Sequence, residues 1–256
     1  MRDSPQHFYD LLSEDYHLIF NDWAASAERQ AQIIHAMIQN QTPKPAESLA
    51  ILDCSCGIGT QALGLAKLGY RVTATDLSPK AVERAGREAE KAGLSINFGV
   101  ADFCHLEQQV AGSYDVIVSF DNSLPHLLEE RELRLAFRNI GAKLKENGLF
   151  LASIRDYDRI LTKKPSLIAP SFYDNEYGKR VSFQVWEWED RIYTLHHFVI
   201  KKENGTWETG HRVTQYRAIL RNEMNLLLET AGFTEIRWLM PEDSGFYQPV
   251  VRARKG

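Results

Sequence analysis

Ile51-Leu52-Asp53-Cys54-Ser55-Cys56-Gly57-Ile58-Gly59-Thr60 runs from a short apolar segment, through an acid and small side chains, into two glycines and an Ala/Leu-rich stretch that ends near Leu68. The pattern reads as a buried strand, a tight turn and a helix. Glycine tolerates backbone geometry closed to other residues and lets a ligand approach the main chain closely. The N-terminus of the following helix offers free N–H groups to an anionic ligand.

Outward from this turn, strands and helices alternate. Tyr70–Asp76 is a β-branched run, and Ser78-Pro79 starts a helix reaching about Lys91, with Ser as N-cap and Pro at the first helical position. Residues 95–102 form a third strand, and 114–121 a fourth, apolar enough to be buried on both faces. A helix spans Leu127–Lys145, closed by Asn147-Gly148, and 149–156 is a fifth strand. This order implies a parallel sheet with right-handed crossovers. Ahead of it, residues 6–40 read as helical, and QTPKPAES (41–48) breaks the helix.

The texture changes after Tyr157. Residues 180–190, 191–202 and 206–219 alternate and are rich in aromatics, with Asn204-Gly205 as a hairpin turn. They predict an antiparallel sheet inserted after the fifth strand. A helix over 222–232 closed by Gly232 follows, then strands over 233–240 and 246–255. The expected fold is α/β and Rossmann-like: a mostly parallel central sheet flanked by helices, with an inserted antiparallel β-sheet as lid. Its parts are a helical cap (1–48), a core (49–156), the lid (157–219) and a closing helix with strands (220–256).

The 256 residues carry 34 acidic and 30 basic side chains, a formal charge of −4, which disfavours a strongly basic nucleic-acid-binding surface. No run of apolar residues is long enough for a membrane span, and MRDSPQHFYD lacks the pattern of a signal peptide, so a cytoplasmic location is expected. Three cysteines argue against a disulfide framework. Cys54, Cys56 and Cys104 also lack the paired spacing of a zinc site, and no metal is expected. The aromatic content, 5 Trp, 10 Tyr and 12 Phe, concentrates in the added sheet and the N-terminal arm, where it reads as the cover of one pocket.

Two ligands suit the Gly-rich turn. Gly57-x-Gly59-x-x-Ala62 satisfies the dinucleotide pattern, but four residues separate Gly57 from the end of the strand, which disfavours that register. An acid at the strand end, three residues, then G-x-G resembles the first motif of class I S-adenosylmethionine-dependent methyltransferases. Three further strand ends agree: Asp76, placed to accept from ribose hydroxyls; Ala101-Asp102-Phe103, which the resemblance assigns to the adenine; and Phe120-Asp121-Asn122-Ser123, where a reacting methyl would lie. Ligands of open α/β sheets bind at these carboxyl ends.

A narrower resemblance covers Tyr16-His17-Leu18-Ile19-Phe20, Trp23, Arg29-Gln30, Asn122-Ser123-x-x-His126-Leu127 and Ile154-Arg155-Asp156-Tyr157-Asp158. This set is similar to the glycine and sarcosine N-methyltransferases. The resemblance implies that Asn122 and Arg155 hold an amino-acid carboxylate, and that Arg29, Tyr9 and Tyr16 close over the cofactor. His126, beside the reacting end, is a candidate base, with a structural role fixing its loop as the alternative. The catalytic candidates are thus Asn122, His126 and Arg155. The cofactor candidates are Tyr9, Tyr16, Arg29, Asp53, Cys54, Gly57, Gly59, Asp76, Leu77, Asp102, Phe103 and Phe120.

Arg155 reads as a carboxylate clamp, or else as the ion-pair partner of Asp156, Asp158 or an N-terminal acid. His196 and His197 face opposite sides of a strand, so only one can point at a pocket. Trp186 and Trp188 share a face, as sheet packing or as a substrate wall. The expected activity is methyl transfer from S-adenosyl-L-methionine to a small molecule, an amine such as glycine. The alternatives are a non-catalytic S-adenosylmethionine-binding protein and an NAD-dependent oxidoreductase. The partner is a small molecule, not nucleic acid or membrane, and the resemblance permits a homo-oligomer.

Overall fold

The computed structural model describes residues 4–256, so the first three residues of the expected cap lie outside the described residues. The core is a seven-stranded sheet in the order β10-β11-β5-β4-β1-β2-β3. Its parallel members are β1 (Ala50–Asp53), β2 (Arg71–Asp76), β3 (Asn97–Val100), β4 (Tyr114–Ser119) and β5 (Leu144–Ser153). A second sheet, in the order β6-β7-β8-β9, is antiparallel throughout: β6 (Leu167–Asn175), β7 (Gly178–Glu189), β8 (Ile192–Glu203) and β9 (Thr206–Arg217). The core sheet closes with β10 (Phe233–Leu239) and β11 (Val250–Lys255), the latter antiparallel to both of its neighbours. This is the expected Rossmann-like sheet with an inserted antiparallel sheet.

The helices are α1 (Pro5–Leu12), α2 (Trp23–Gln41), α3 (Thr60–Lys67), α4 (Pro79–Lys91), α5 (Leu106–Gln109), α6 (Glu130–Lys143), α7 (Tyr157–Lys163), α8 (Arg221–Thr230) and α9 (Pro241–Ser244). Successive strand residues point to opposite faces of the sheet. Leu52, Ile117 and Phe150 therefore pack in one buried cluster, while Ile51, Val116 and Leu149 pack with Ile34 and Ile38 of α2 in another. α2 crosses α3 closely: a Cβ on Gly64 would lie 2.4 Å from the Ala31 side chain, so only glycine permits this approach. Ser78 caps α4, its Oγ accepting from the Ala81 N–H at 3.1 Å, as the Ser-Pro pair predicts.

Four local expectations are corrected. The N-terminal helical run is broken between Leu12 and Trp23, where a 3₁₀ turn at Tyr16–Ile19 redirects the chain. Its apolar residues are spaced irregularly there because some of them line a cavity while others pack in the core. The added sheet gains β6 as an exposed edge strand: Pro170 interrupts its alternation, and the register shifts between Ile168 and Ser171. Asn147 does not end α6, which stops at Lys143. It lies inside β5 at φ 57°, where the strand enters the sheet. The last strand starts at Val250, and Phe246–Pro249 form a loop over the core.

The chain leaves the core after β5 through α7 and returns before α8, so the second sheet hangs over the carboxyl edge of the parallel strands. Alternation along β8 buries Tyr193, Leu195, His197 and Val199 on the inner side. Arg180 of β7, fully buried, donates to the carbonyls of Leu18, Phe20 and Asn21, at 2.8, 2.6 and 3.4 Å respectively. This ties the sheet to the N-terminal arm. α1 is tied in turn to α4, because Asp10 Oδ1 accepts from the Ser78 hydroxyl at 2.6 Å.

Candidate active site

Two cavities open beside the carboxyl ends of the strands. The first, of about 420 Å³, lies against the Gly-rich turn and the ends of β2 and β3. The second, of about 660 Å³, lies between the core and the antiparallel sheet. Tyr9, Tyr16 and Asp121 line both.

In the first cavity the turn is held from below. The Gly57 N–H donates to Asp76 Oδ2 at 2.8 Å, and the Ser78 N–H donates to Asp76 Oδ1 at 2.9 Å. Burial raises the Asp76 pKa, and these backbone bonds oppose the rise. Gly57, at φ 51°, has open space where a Cβ would project, so its main chain faces the cavity. Gly59, at φ 94°, does not line it. A Cβ there would meet Leu63 at 3.1 Å, so its role is the turn and the start of α3.

Cys54, Leu77, Asp102 and Phe103 are on the wall, with Asp102 Oδ1 accepting from the Cys104 N–H at 2.8 Å. Asp53 lies behind the turn, buried, with Oδ1 accepting from the Ser55 N–H at 3.2 Å and Oδ2 without a hydrogen-bond partner. Burial pushes its pKa up to about 8. Phe120 is directed away from both cavities. It is 1% exposed, with its ring 4.9 Å from that of Phe246, because the position just after β4 faces the core.

His126 lines the first cavity. Its Nε2 is 3.0 Å from the Tyr9 hydroxyl, and its Nδ1 is 3.2 Å from the Gln215 carbonyl. A carbonyl only accepts, so Nδ1 carries the proton and Nε2 accepts from Tyr9. Burial, reinforced by the nearby Arg155 charge, pushes its pKa down to about 3. A neutral ring with both nitrogens engaged is a poor general base, which favours the loop-fixing alternative for His126. Burial raises the pKa of Tyr9 and of Tyr16, so both phenols stay protonated.

In the second cavity, Arg155 is stacked rather than ion-paired. Its guanidinium lies 4.9 Å from the Trp186 ring centroid and 5.1 Å from that of Tyr216, and Nη1 donates to the Tyr193 hydroxyl. The carboxylates proposed as its alternative partners are taken: Asp156 and Asp158 pair with Arg221 at 2.6 and 3.5 Å. Burial opposes the charge on Arg155, but the hydroxyls of Tyr193, Tyr157 and Tyr216 more than offset it, and the group stays cationic. Asn122, at φ 67°, accepts at Oδ1 from the Arg155 N–H (2.9 Å) and the Tyr157 hydroxyl (3.0 Å). Its buried Nδ2 has no partner. Arg29 lines only this second cavity.

Trp186 and His197 also line the second cavity, whereas Trp188 and His196 do not. Trp188 donates through Nε1 to the Pro165 carbonyl, and His196 stacks on His211 outside the pocket. The sequence patterns hold Asp121 and Tyr157 in strand-end motifs and Tyr193 and Tyr216 in the aromatic-rich added sheet, without a role of its own for any of them, and they pass over Tyr247. Asp121 had a signal, its place beside Asn122 at a strand end. Tyr247 had none, since the loop before β11 brings it in from far along the chain.

Comparison with known proteins agrees with this layout. Residues 51–148 match the family model described as a methyltransferase domain. A glycine/sarcosine N-methyltransferase of Parasynechococcus marenigrum is 30% identical over 140 residues, covering 55% of this chain and 48% of the relative. A ubiquinone biosynthesis O-methyltransferase of Methylocella silvestris is 39% identical over 111 residues, covering 43% and 41%. The alignments thus span less than half the length of either relative. Among solved structures, SAM-bound CalS10, an amino pentose methyltransferase from Micromonospora echinaspora, superposes with a TM-score of 0.75 at 14% identity, covering 90% of this chain and 92% of that one. Residues 51–148 are a methyltransferase domain, and the chain has the class I S-adenosylmethionine-dependent methyltransferase fold.

Proposed function

We propose that this chain moves a methyl group from S-adenosylmethionine to a small-molecule acceptor, an amine carrying a carboxylate. The observation that carries the reading is the pair of cavities that share Tyr9, Tyr16 and Asp121, with the unpaired guanidinium of Arg155 in the second. The first cavity fits the methyl donor. Gly57 leaves its main chain open, Asp76 presents carboxylate oxygens to ribose hydroxyls, and Asp102 with Phe103 borders the space for the base. The donor supplies a sulfonium methyl group that is open to in-line attack.

The chain's own contribution is orientation. Holding reactants aligned lowers barriers by about 7–11 kcal/mol in well-ordered systems. Arg155 clamps the acceptor carboxylate, and Asn122 fixes the backbone from which Arg155 projects. The arm carrying Tyr9 and Tyr16, pinned through Asp10 and Arg180, excludes water from the shared wall. The Trp186 face supplies an apolar side to the acceptor site. Glycine fills only part of a 660 Å³ chamber, so larger amino carboxylates belong in the same class.

The test is a methyl-transfer screen from S-adenosylmethionine over amines with and without a carboxylate, using wild type and Arg155→Ala. Wild-type transfer that the substitution removes only for carboxylate-bearing acceptors supports the reading. Indifference to the substitution removes the clamp. The identity to an O-methyltransferase favours a hydroxyl acceptor as the second reading, and matched hydroxy acids in the screen decide between them.

A further inference from the structure

We propose that Asp121 is the catalytic base of this site, receiving the acceptor's ammonium nitrogen at the wall shared by the two cavities and taking its proton. The inference rests on the proposed function and goes further, because it selects nitrogen over oxygen and names the proton acceptor. Asp121 is the one carboxylate among the described residues lining the second cavity, and it lines the first as well. The methyl group must cross from one cavity to the other, so a group on both walls borders the reacting atoms. Arg29 and Arg155 supply positive charge to the same chamber, which is therefore built for a molecule of both signs.

The carboxylate is oriented from both sides. Gln61 Nε2 donates to Oδ2 at 2.9 Å, and the Tyr247 hydroxyl donates to Oδ1. Gln61 is itself buried and donates to Gln30 at 2.8 Å, which fixes the amide. A carboxylate has about four acceptor sites, so these two donors leave room for an ammonium. Asp53, Tyr16, Tyr216 and Tyr247 share its electrostatic field, and Tyr16, Tyr216 and Tyr247 also feel Arg155. Burial raises the Asp121 pKa while Tyr247 and Gln61 oppose the rise, which brings the group closer to the range of a working base. The other polar groups of the shared wall do not serve. Tyr9 and Tyr16 stay protonated, and the adjoining His126 has both nitrogens engaged.

The step balances. An N–H bond of the ammonium breaks and an O–H bond forms on Asp121; the pair left on nitrogen forms the N–C bond to the methyl group as the donor's S–C bond breaks, and sulfur keeps that pair as a neutral thioether. The proton passes to water when the product leaves.

Asp121→Asn tests this, because asparagine keeps the shape and tolerates the φ of 60° at this position. Affinity for S-adenosylhomocysteine is read by calorimetry. Methyl transfer is read over pH 6–10 with glycine, β-alanine, 4-aminobutyrate and phenylalanine, alongside their hydroxy-acid counterparts. The expected variant binds S-adenosylhomocysteine within about threefold of wild type and loses about 10²- to 10⁴-fold in kcat for amines at pH 7. Its rate then climbs about tenfold per pH unit, as free amine forms in solution, while wild type levels off. An unchanged kcat and pH profile overturns the proposal. So does an equal loss in S-adenosylhomocysteine affinity, which assigns Asp121 to the donor's own ammonium. Wild-type transfer to hydroxy acids alone overturns it and leaves the methyltransferase reading standing. No transfer by wild type to any of the panel overturns both.

Discussion

The Asn122 side chain holds the backbone of Arg155: Oδ1 accepts the Arg155 N–H at 2.9 Å, while the paired Nδ2 is buried without a partner. The two residues come from the ends of β4 and β5, neighbours in the sheet. Asn122→Asp keeps the acceptor oxygen and loses no protein hydrogen bond at Nδ2, but it buries a new carboxylate, so the melting temperature falls unless the nearby Arg155 charge offsets that burial. The new charge competes with an acceptor carboxylate for Arg155. KM for carboxylate-bearing acceptors rises by at least tenfold, read from initial rates, and an unchanged KM separates Asn122 from that subsite.

Arg155→Lys keeps the charge but loses the planar group stacked on Trp186 and Tyr216 and its two-pronged grip. Hydrogen bonds to charged groups contribute about 1.5–3 kcal/mol, which sets an increase in KM of roughly tenfold to a hundredfold. S-adenosylhomocysteine binding stays the same, since Arg155 does not line the first cavity. Calorimetry showing weakened binding would place Arg155 in the wrong chamber.

Asp76→Ala removes the acceptor of the Gly57 and Ser78 N–H groups as well as the oxygens offered to ribose. The dissociation constant for S-adenosylhomocysteine increases by at least tenfold. Asp76→Asn keeps the turn bonded more closely and gives a smaller loss. Identical affinities for wild type and Asp76→Ala contradict the placement of the donor.

Burial pushes His126 down to about 3 and His197 to about 4 from an ordinary value near 6.5. At these two histidines the unfolded chain binds more protons than the folded one between roughly pH 4 and 6.5, so their contribution to stability is full above 6.5 and is lost as pH falls through that window. Each histidine contributes at most about 1.4 kcal/mol per pH unit. Asp53, pushed up to about 8 by burial, acts in the opposite direction, so the histidine contribution is read as a difference: His126→Gln loses less stability than wild type as pH falls from 7 to 4.5. Identical pH slopes for wild type and His126→Gln would show that this ring is hydrated rather than buried.

Arg180 joins β7 to the arm by donating to three backbone carbonyls. Arg180→Met leaves these acceptors short of partners at about 1–3 kcal/mol for each one that water cannot reach. Hydrogen exchange speeds up over residues 16–22 before it does in the core strands. Unchanged protection there would show that the arm is held by α1 alone.

The parallel sheet, the Gly-rich turn, the α4 cap and the hairpin at Asn204-Gly205 were legible in sequence because each is written in residues adjacent along the chain. Asn204 and Gly205 both adopt positive φ, as that turn demands. The sequence placed Gly57 and Gly59 together by motif, yet only packing separates them: Gly57 faces open space and Gly59 faces Leu63. Phe120 was drawn to the ligand by its position at a strand end, while the pleat turns it toward Phe246.

Sequence by itself determined the order of strands and helices and the strand ends that gather around a ligand. Periodicity and turn chemistry act over a few residues, and a sheet then brings those ends to one edge. Tertiary structure decided which groups are charged and what each one faces. His126 is neutral because burial and the Arg155 charge outweigh its hydrogen bond to the Gln215 carbonyl. Arg155 is free because Arg221 takes its neighbouring acids. Asp121 is held on the wall of two cavities by α3 and the loop before β11, through Gln61 and Tyr247. Burial and electrostatic field depend on every group within a few ångströms, and those groups come from the whole length of the chain.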